Sequence, residues 1–115
     1  MATQSSPIVQ SDLVDIDEAA QPLLDDFARS CVHQLGEWAH AHAADYGLRF
    51  ENVRARRWQS IEDPDWVQVV IDITVAGDTE AAFRFWDAAI DNLVALTEPR
   101  PDLMLDLFST SVHWR

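Results

Sequence analysis

Residues 67 to 93 read "VQVVIDITVAGDTEAAFRFWDAAIDNL", and the spacing of apolar positions changes within them. Val67, Val69, Ile71, Ile73 and Val75 alternate with Gln68, Asp72 and Thr74, the period of a strand with one covered face. After Gly77-Asp78 the apolar residues recur every three or four positions, the period of a helix. Asp78 suits the cap of that helix and Glu80 its first turn. Phe83, Trp86, Ile90, Leu93 and Val94 form the predicted buried stripe. Phe85 falls about 200° from Phe83, which makes it either an exposed anchor or a residue covered by the N-terminal arm.

The same reading extends outward. Residues 19 to 46 predict a long helix whose stripe is Leu24, Phe27, Cys31, Leu35, Trp38, His42 and Tyr46, with Gly47 as its stop. Residues 48 to 61 predict a strand. Leu48 and Phe50 share one parity and Val53 and Ala55 the other, so a bulge is expected near Asn52. "EDPD" at 62 to 65 is a turn signal, joining this strand to the next as a hairpin. "EPRP" at 98 to 101 ends the second helix, a short helical turn follows over 102 to 107, and residues 107 to 114 predict a last strand. On it, Phe108, Val112 and Trp114 face one way and Ser109, Ser111 and His113 the other.

Residues 1 to 18 read as an arm: the first six are small and polar, with disorder expected, and Ile8 to Ile16 supply a weak edge strand. Residues 19 to 115 form one domain. The order is (β)-α-β-β-α-β, an α+β fold with two amphipathic helices on one face of a small antiparallel sheet. With the weak strand counted, the order is that of the ferredoxin-like, split βαβ fold.

Charge narrows the functional classes. The chain of 115 residues carries 20 acidic and 8 basic side chains, a formal net charge of -12, and every basic one is arginine. A surface of that sign repels phosphate and argues against nucleic-acid binding. It fits a solubilising surface, an acidic patch for a basic partner, or a nucleic-acid mimic. The single cysteine, Cys31, permits no internal disulfide, which fits a reducing, cytoplasmic setting. No apolar run approaches the ~18 residues of a membrane span.

Motifs for catalysis are sparse. His33, Glu37 and His40 share a helix face and are metal-capable, but the face lies opposite the apolar stripe and reads as solvated. No cofactor is implied. Cys31 sits in the stripe as a small core residue. No glycine-rich phosphate loop exists, since Gly36, Gly47 and Gly77 are isolated.

The outward sheet face is richer. Arg54, Arg56 and Trp58 share a parity on one strand, and Trp66 and Val70 join them from the next. Arginine beside exposed tryptophan is typical of binding hot spots. The competing expectation is that these arginines pair across strands with Asp72 and nearby acids. The sequence thus supports a small non-catalytic protein-interaction module, binding a second copy of itself or another protein through Arg54, Arg56, Trp58, Trp66, Val70 and Phe85. Two alternatives stand beside it. One is a small-molecule binder or enzyme with a pocket between sheet and helices near His42, Tyr46 and His113. The other is an acidic inhibitor, of antitoxin or immunity type, whose N-terminal acids join Asp87 and Asp91 in one ridge.

Overall fold

The computed structural model describes residues 13–115, so the expectations for the first twelve residues lie outside it. The described chain builds a mixed α+β fold: β1 (Val14–Ile16), α1 (Asp26–His42), β2 (Arg49–Gln59), β3 (Val67–Ala76), α2 (Thr79–Leu96) and β4 (Phe108–Trp114). Single turns of 3-10 helix at Gln21–Leu23 and Ala43–Tyr46 flank α1, and a π-helical turn at Leu103–Leu107 leads into β4. Within the described residues, the predicted edge strand is present as Val14–Ile16.

Local chemistry sets the helix ends. Asp25 caps α1, its Oδ1 accepting from the Ala28 N–H at 2.8 Å. Asp78 caps α2 in the same way, accepting from the Ala81 N–H at 3.2 Å. Gly47 stops the 3-10 turn after α1 with φ of 77°, a left-handed conformation that glycine adopts without a steric penalty. Arg100 ties the two helix ends together: it donates to Asp25 Oδ2 at 3.1 Å and grips Asp102 with two nitrogens at 3.1 and 3.0 Å.

The four strands lie in the order β1-β2-β3-β4. The central pair, β2 and β3, is antiparallel and carries the expected bulge, between Phe50 and Asn52. The expectation of an antiparallel sheet is corrected at both sides, where β1 runs parallel to β2 and β4 parallel to β3. Each helix returns the chain to the same end of the sheet, so the next strand starts beside the last one and points the same way. The split βαβ arrangement, with a third strand between the parallel partners, is therefore absent.

Both helices pack on one face of this sheet. Phe85 of α2 stacks on Trp38 of α1 at 5.3 Å between ring centres, and Tyr46 meets the same ring edge-on at 5.6 Å. Val53, Ala55, Val69, Ile71, Ile73, Val75 and Val112 close the core from the sheet side. The parallel pairs run in opposite directions under helices on one face, so the two crossovers have opposite hands. One of them thus departs from the right-handed rule that about 98% of such connections obey.

The alternation in β3 places residues as predicted. The stripe predicted for the first helix is buried at Leu24, Cys31 and Leu35, with Phe27, Trp38 and Tyr46 packed against the core, while α2 turns a different face inward. In α1 the covered line is Ala28, Cys31, Val32, Leu35, Gly36 and Ala39, and His42 is exposed. In α2 it is Ala81, Ala82, Phe85, Ala89 and Leu93. Phe83, expected in the buried stripe, is 49% exposed, and Phe85, left open between an exposed anchor and a residue under the N-terminal arm, is 0% exposed within the core. Alanines on this face let α2 approach the sheet and α1 closely, and the phenyl ring of Phe85 fills the seam between the helices.

Candidate functional site

The face of the sheet that no described helix covers collects most of the residues singled out in the sequence. Cross-strand register sets Arg54 opposite Asp72, Arg56 opposite Val70, and Trp58 opposite Gln68. Parallel pairing then sets Ser111 beside Asp72 and Ser109 beside Val70. Three strands thus bring Arg54, Arg56, Trp58, Val70, Asp72, Ser111 and His113 into one surface.

At its centre is Asp72, whose side chain is 13% exposed. Arg56 Nε donates to Asp72 Oδ2 at 2.6 Å, and Ser111 Oγ donates to Oδ1. His113 Nε2 lies 3.3 Å from the same Oδ1 and 3.1 Å from Ser111 Oγ. Burial pushes the Asp72 pKa up, but the hydrogen bonds from Arg56, Ser111 and His113 outweigh it and hold the carboxyl below its ordinary value. Arg54 turns the other way and donates to Asp17 Oδ1 at 2.7 Å. The arginines are therefore engaged by acids of their own chain, as the cross-strand reading anticipated.

Asp, Ser and His side by side invite comparison with a nucleophilic triad, and the geometry differs. A relay places serine and carboxylate on opposite nitrogens of the imidazole. Here one nitrogen, Nε2, faces both partners, and the serine proton is directed to the carboxylate. The cluster is arranged to hold three strands in register.

Next to it is an aromatic pair. Trp58 and Trp66 meet edge to face at 5.2 Å, and Trp66 is 50% exposed at the end of the hairpin turn. The turn is held by Ser60 N–H to Trp66 C=O at 3.0 Å and by Gln59 Nε2 to Pro64 C=O at 2.8 Å. Val70 is buried beneath its neighbours on this face.

The other candidates disperse. Phe85 is enclosed in the core, so it is withdrawn from the interface set. His42, Tyr46 and His113 share no cavity. His42 lies over Trp38 and binds Asp45 at 3.0 Å, Tyr46 packs on Phe85, and His113 is on the far face of the sheet. Surface grooves exist elsewhere. One of about 540 Å³ runs along α1 past Asp26, Arg29, His33 and Glu37. His40 turns instead to Phe50, edge to face at 5.2 Å, so His33, Glu37 and His40 do not converge. No group of three metal-capable side chains does so among the described residues. Asp15 lies on β1 and Asp17 just after it, at one edge of the sheet, and Asp87 and Asp91 lie on α2. No helix among the described residues is long and apolar enough to cross a membrane.

Comparison with family models, curated proteins and solved structures finds no match to this chain.

Proposed function

We propose that this protein is a non-catalytic interaction module that binds a partner protein through the uncovered sheet face. The reading is supported above all by the Trp58–Trp66 pair, Trp58 partly and Trp66 half exposed, on a sheet face that no described helix covers. Two large rings, fixed against each other, offer contact area at little further entropic cost. The Arg56–Asp72–Ser111–His113 network beside them pre-orders polar groups for a rim. With the arginines paired internally and Val70 already buried, the tryptophans are the anchors and the arginines their frame. A protein partner with an apolar centre and a polar border suits this surface.

The test is a comparative capture from the native cell. The wild-type chain and a Trp58→Ala/Trp66→Ala variant are used as baits, and retained proteins are identified by mass spectrometry. A stoichiometric partner held by the wild type and lost by the folded variant supports the reading. A partner retained equally by both removes the sheet face from consideration.

A further inference from the structure

Helix α2 carries two apolar stripes. One, through Ala82, Phe85, Ala89 and Leu93, is sunk into the core. The second runs through Phe83, Trp86, Ile90 and Val94, roughly a third of a turn around the helix. It lies away from α1, on the side of β4. Trp86 Nε1 donates to Thr110 Oγ1 at 3.3 Å and Trp114 Nε1 to Thr79 Oγ1 at 3.1 Å. Phe83 leans edge-on against Trp114 at 5.1 Å and stacks beside Trp86 at 6.3 Å. Phe83 and Val94 remain 49% and 50% exposed. The stripe runs into an apolar groove of about 530 Å³ that includes Val94, Ala95, Met104 and Leu105.

Among the described residues, strand β4, beneath this ridge, is an edge of the sheet. Proteins protect edges with short strands, charge, proline or bulges. β1, at the opposite edge, is only three residues long. β4 has seven, "FSTSVHW", with no acid, arginine, proline or glycine. In a chain of net charge -12 that is a conspicuous neutral segment. Its backbone alternates. The Gly77 N–H donates to Arg115 C=O at 3.0 Å, so Arg115 and, by alternation, 113, 111 and 109 turn toward β3. Thr110, Val112 and their even-numbered neighbours direct N–H and C=O groups to the open side.

We propose that a second copy of this chain pairs with β4 in antiparallel register about a two-fold axis at Ser111. The strand is self-complementary in that register. Phe108 meets Trp114 of the second copy, Thr110 meets Val112, and Ser109 meets His113. Core-facing residues thereby meet core-facing residues, and the outward-pointing backbone groups of Thr110 and Val112 find partners. The same axis lays the two α2 helices antiparallel on one face of a continuous eight-stranded sheet. Phe83 and Trp86 of each copy then cover those of the other. One occupant satisfies both the unpaired edge and the exposed stripe, and an isologous two-fold contact closes without further growth. The specific partner of the Trp58–Trp66 face is left its own surface.

The experiment is light scattering on the full chain at about 100 μM, where a micromolar dimer is saturated. The expected mass is twice the 13.0 kDa of one chain. Phe83→Glu is expected to halve it while the far-ultraviolet circular dichroism stays unchanged, and Trp58→Ala is expected to leave it unaltered. A wild-type monomer, a Phe83→Glu variant that stays dimeric, or loss of the dimer through Trp58→Ala overturns the proposal. Hydrogen exchange on the wild type tests it without any substitution. The amides of Thr110 and Val112 should exchange slowly in the dimer and at least tenfold faster on dilution to monomer. Fast exchange of both at high concentration, or protection unaffected by dilution, likewise overturns it.

Discussion

The side chain of Val14 occupies the space that a methyl group on Gly36 would need. The contact presses α1 onto β1 and explains a glycine in the middle of a helix, where it is ordinarily unfavourable. Gly36→Ala gains roughly 1 kcal/mol of helix propensity. It forces Val14 out of the core, an overpacking cost of about 1–3 kcal/mol. The expected result is a lower urea midpoint with β1 displaced. In a Val14→Ala background the same change should be neutral or stabilising, and the double-mutant cycle measures the difference.

Phe85 and Phe83 are two residues apart and should behave as opposites. Phe85→Ala removes a fully enclosed ring between Trp38 and Tyr46. Its expected cost is about 3–5 kcal/mol by chemical denaturation. Phe83→Ala, at a half-exposed position, should cost the isolated chain less than about 1 kcal/mol.

Asp72 gives the fold a pH dependence of definite sign. Its carboxyl titrates below the ordinary 3.8 when folded, because Arg56, Ser111 and His113 bind the ionised form more strongly than burial opposes it. The unfolded chain therefore takes up its proton first as pH falls. The contribution is fully present above about pH 4 and is lost as pH drops through the folded value. Asp72→Asn should lower the denaturation midpoint at pH 7 and flatten its fall as pH drops below about 4. An unchanged slope would show that other carboxylates carry the acid sensitivity.

Cys31 is expected to be inert in the folded protein. Burial, and then the charge of Asp25, push its thiol up in pKa, and its Sγ lies 3.6 Å from the Leu96 carbonyl oxygen. Alkylation by iodoacetamide at pH 7.5 should proceed only as fast as the chain opens. Labelling at the rate of a free thiol would place Cys31 outside the core.

The sequence carried the elements further than it carried their faces. Asp78, Gly47 and the odd-numbered apolar residues of β3 each act through neighbours close in the chain, so their roles were legible. The covered side of α2 was not. Phe83/Trp86/Ile90/Val94 and Ala82/Phe85/Ala89/Leu93 both recur at helical spacing, and the first set is the more hydrophobic. The structure buries the second because its alanines permit close approach to β3 and α1. Strand direction was illegible for another reason, since it depends on where a three-residue β1 docks. The outer sheet face could be listed from parity, but the convergence of Arg56, Ser111 and His113 on Asp72 required the register of three strands. The free edge beside α2 became visible only once β4 had been placed at the margin.

Because neighbours in sequence are neighbours in the sheet, the chain falls into two consecutive halves. Val14 to Gln59 and Val67 to Trp114 each contain a complete strand–helix–strand unit, and residues 60–66 are the sole covalent bridge between them. Scission of that loop would sever no helix and no strand. Two separately synthesised fragments, joined along β2 and β3 and across the Phe85 seam, hold every element needed to reconstitute the native assembly, which makes this loop the natural place for an inserted tag or reporter.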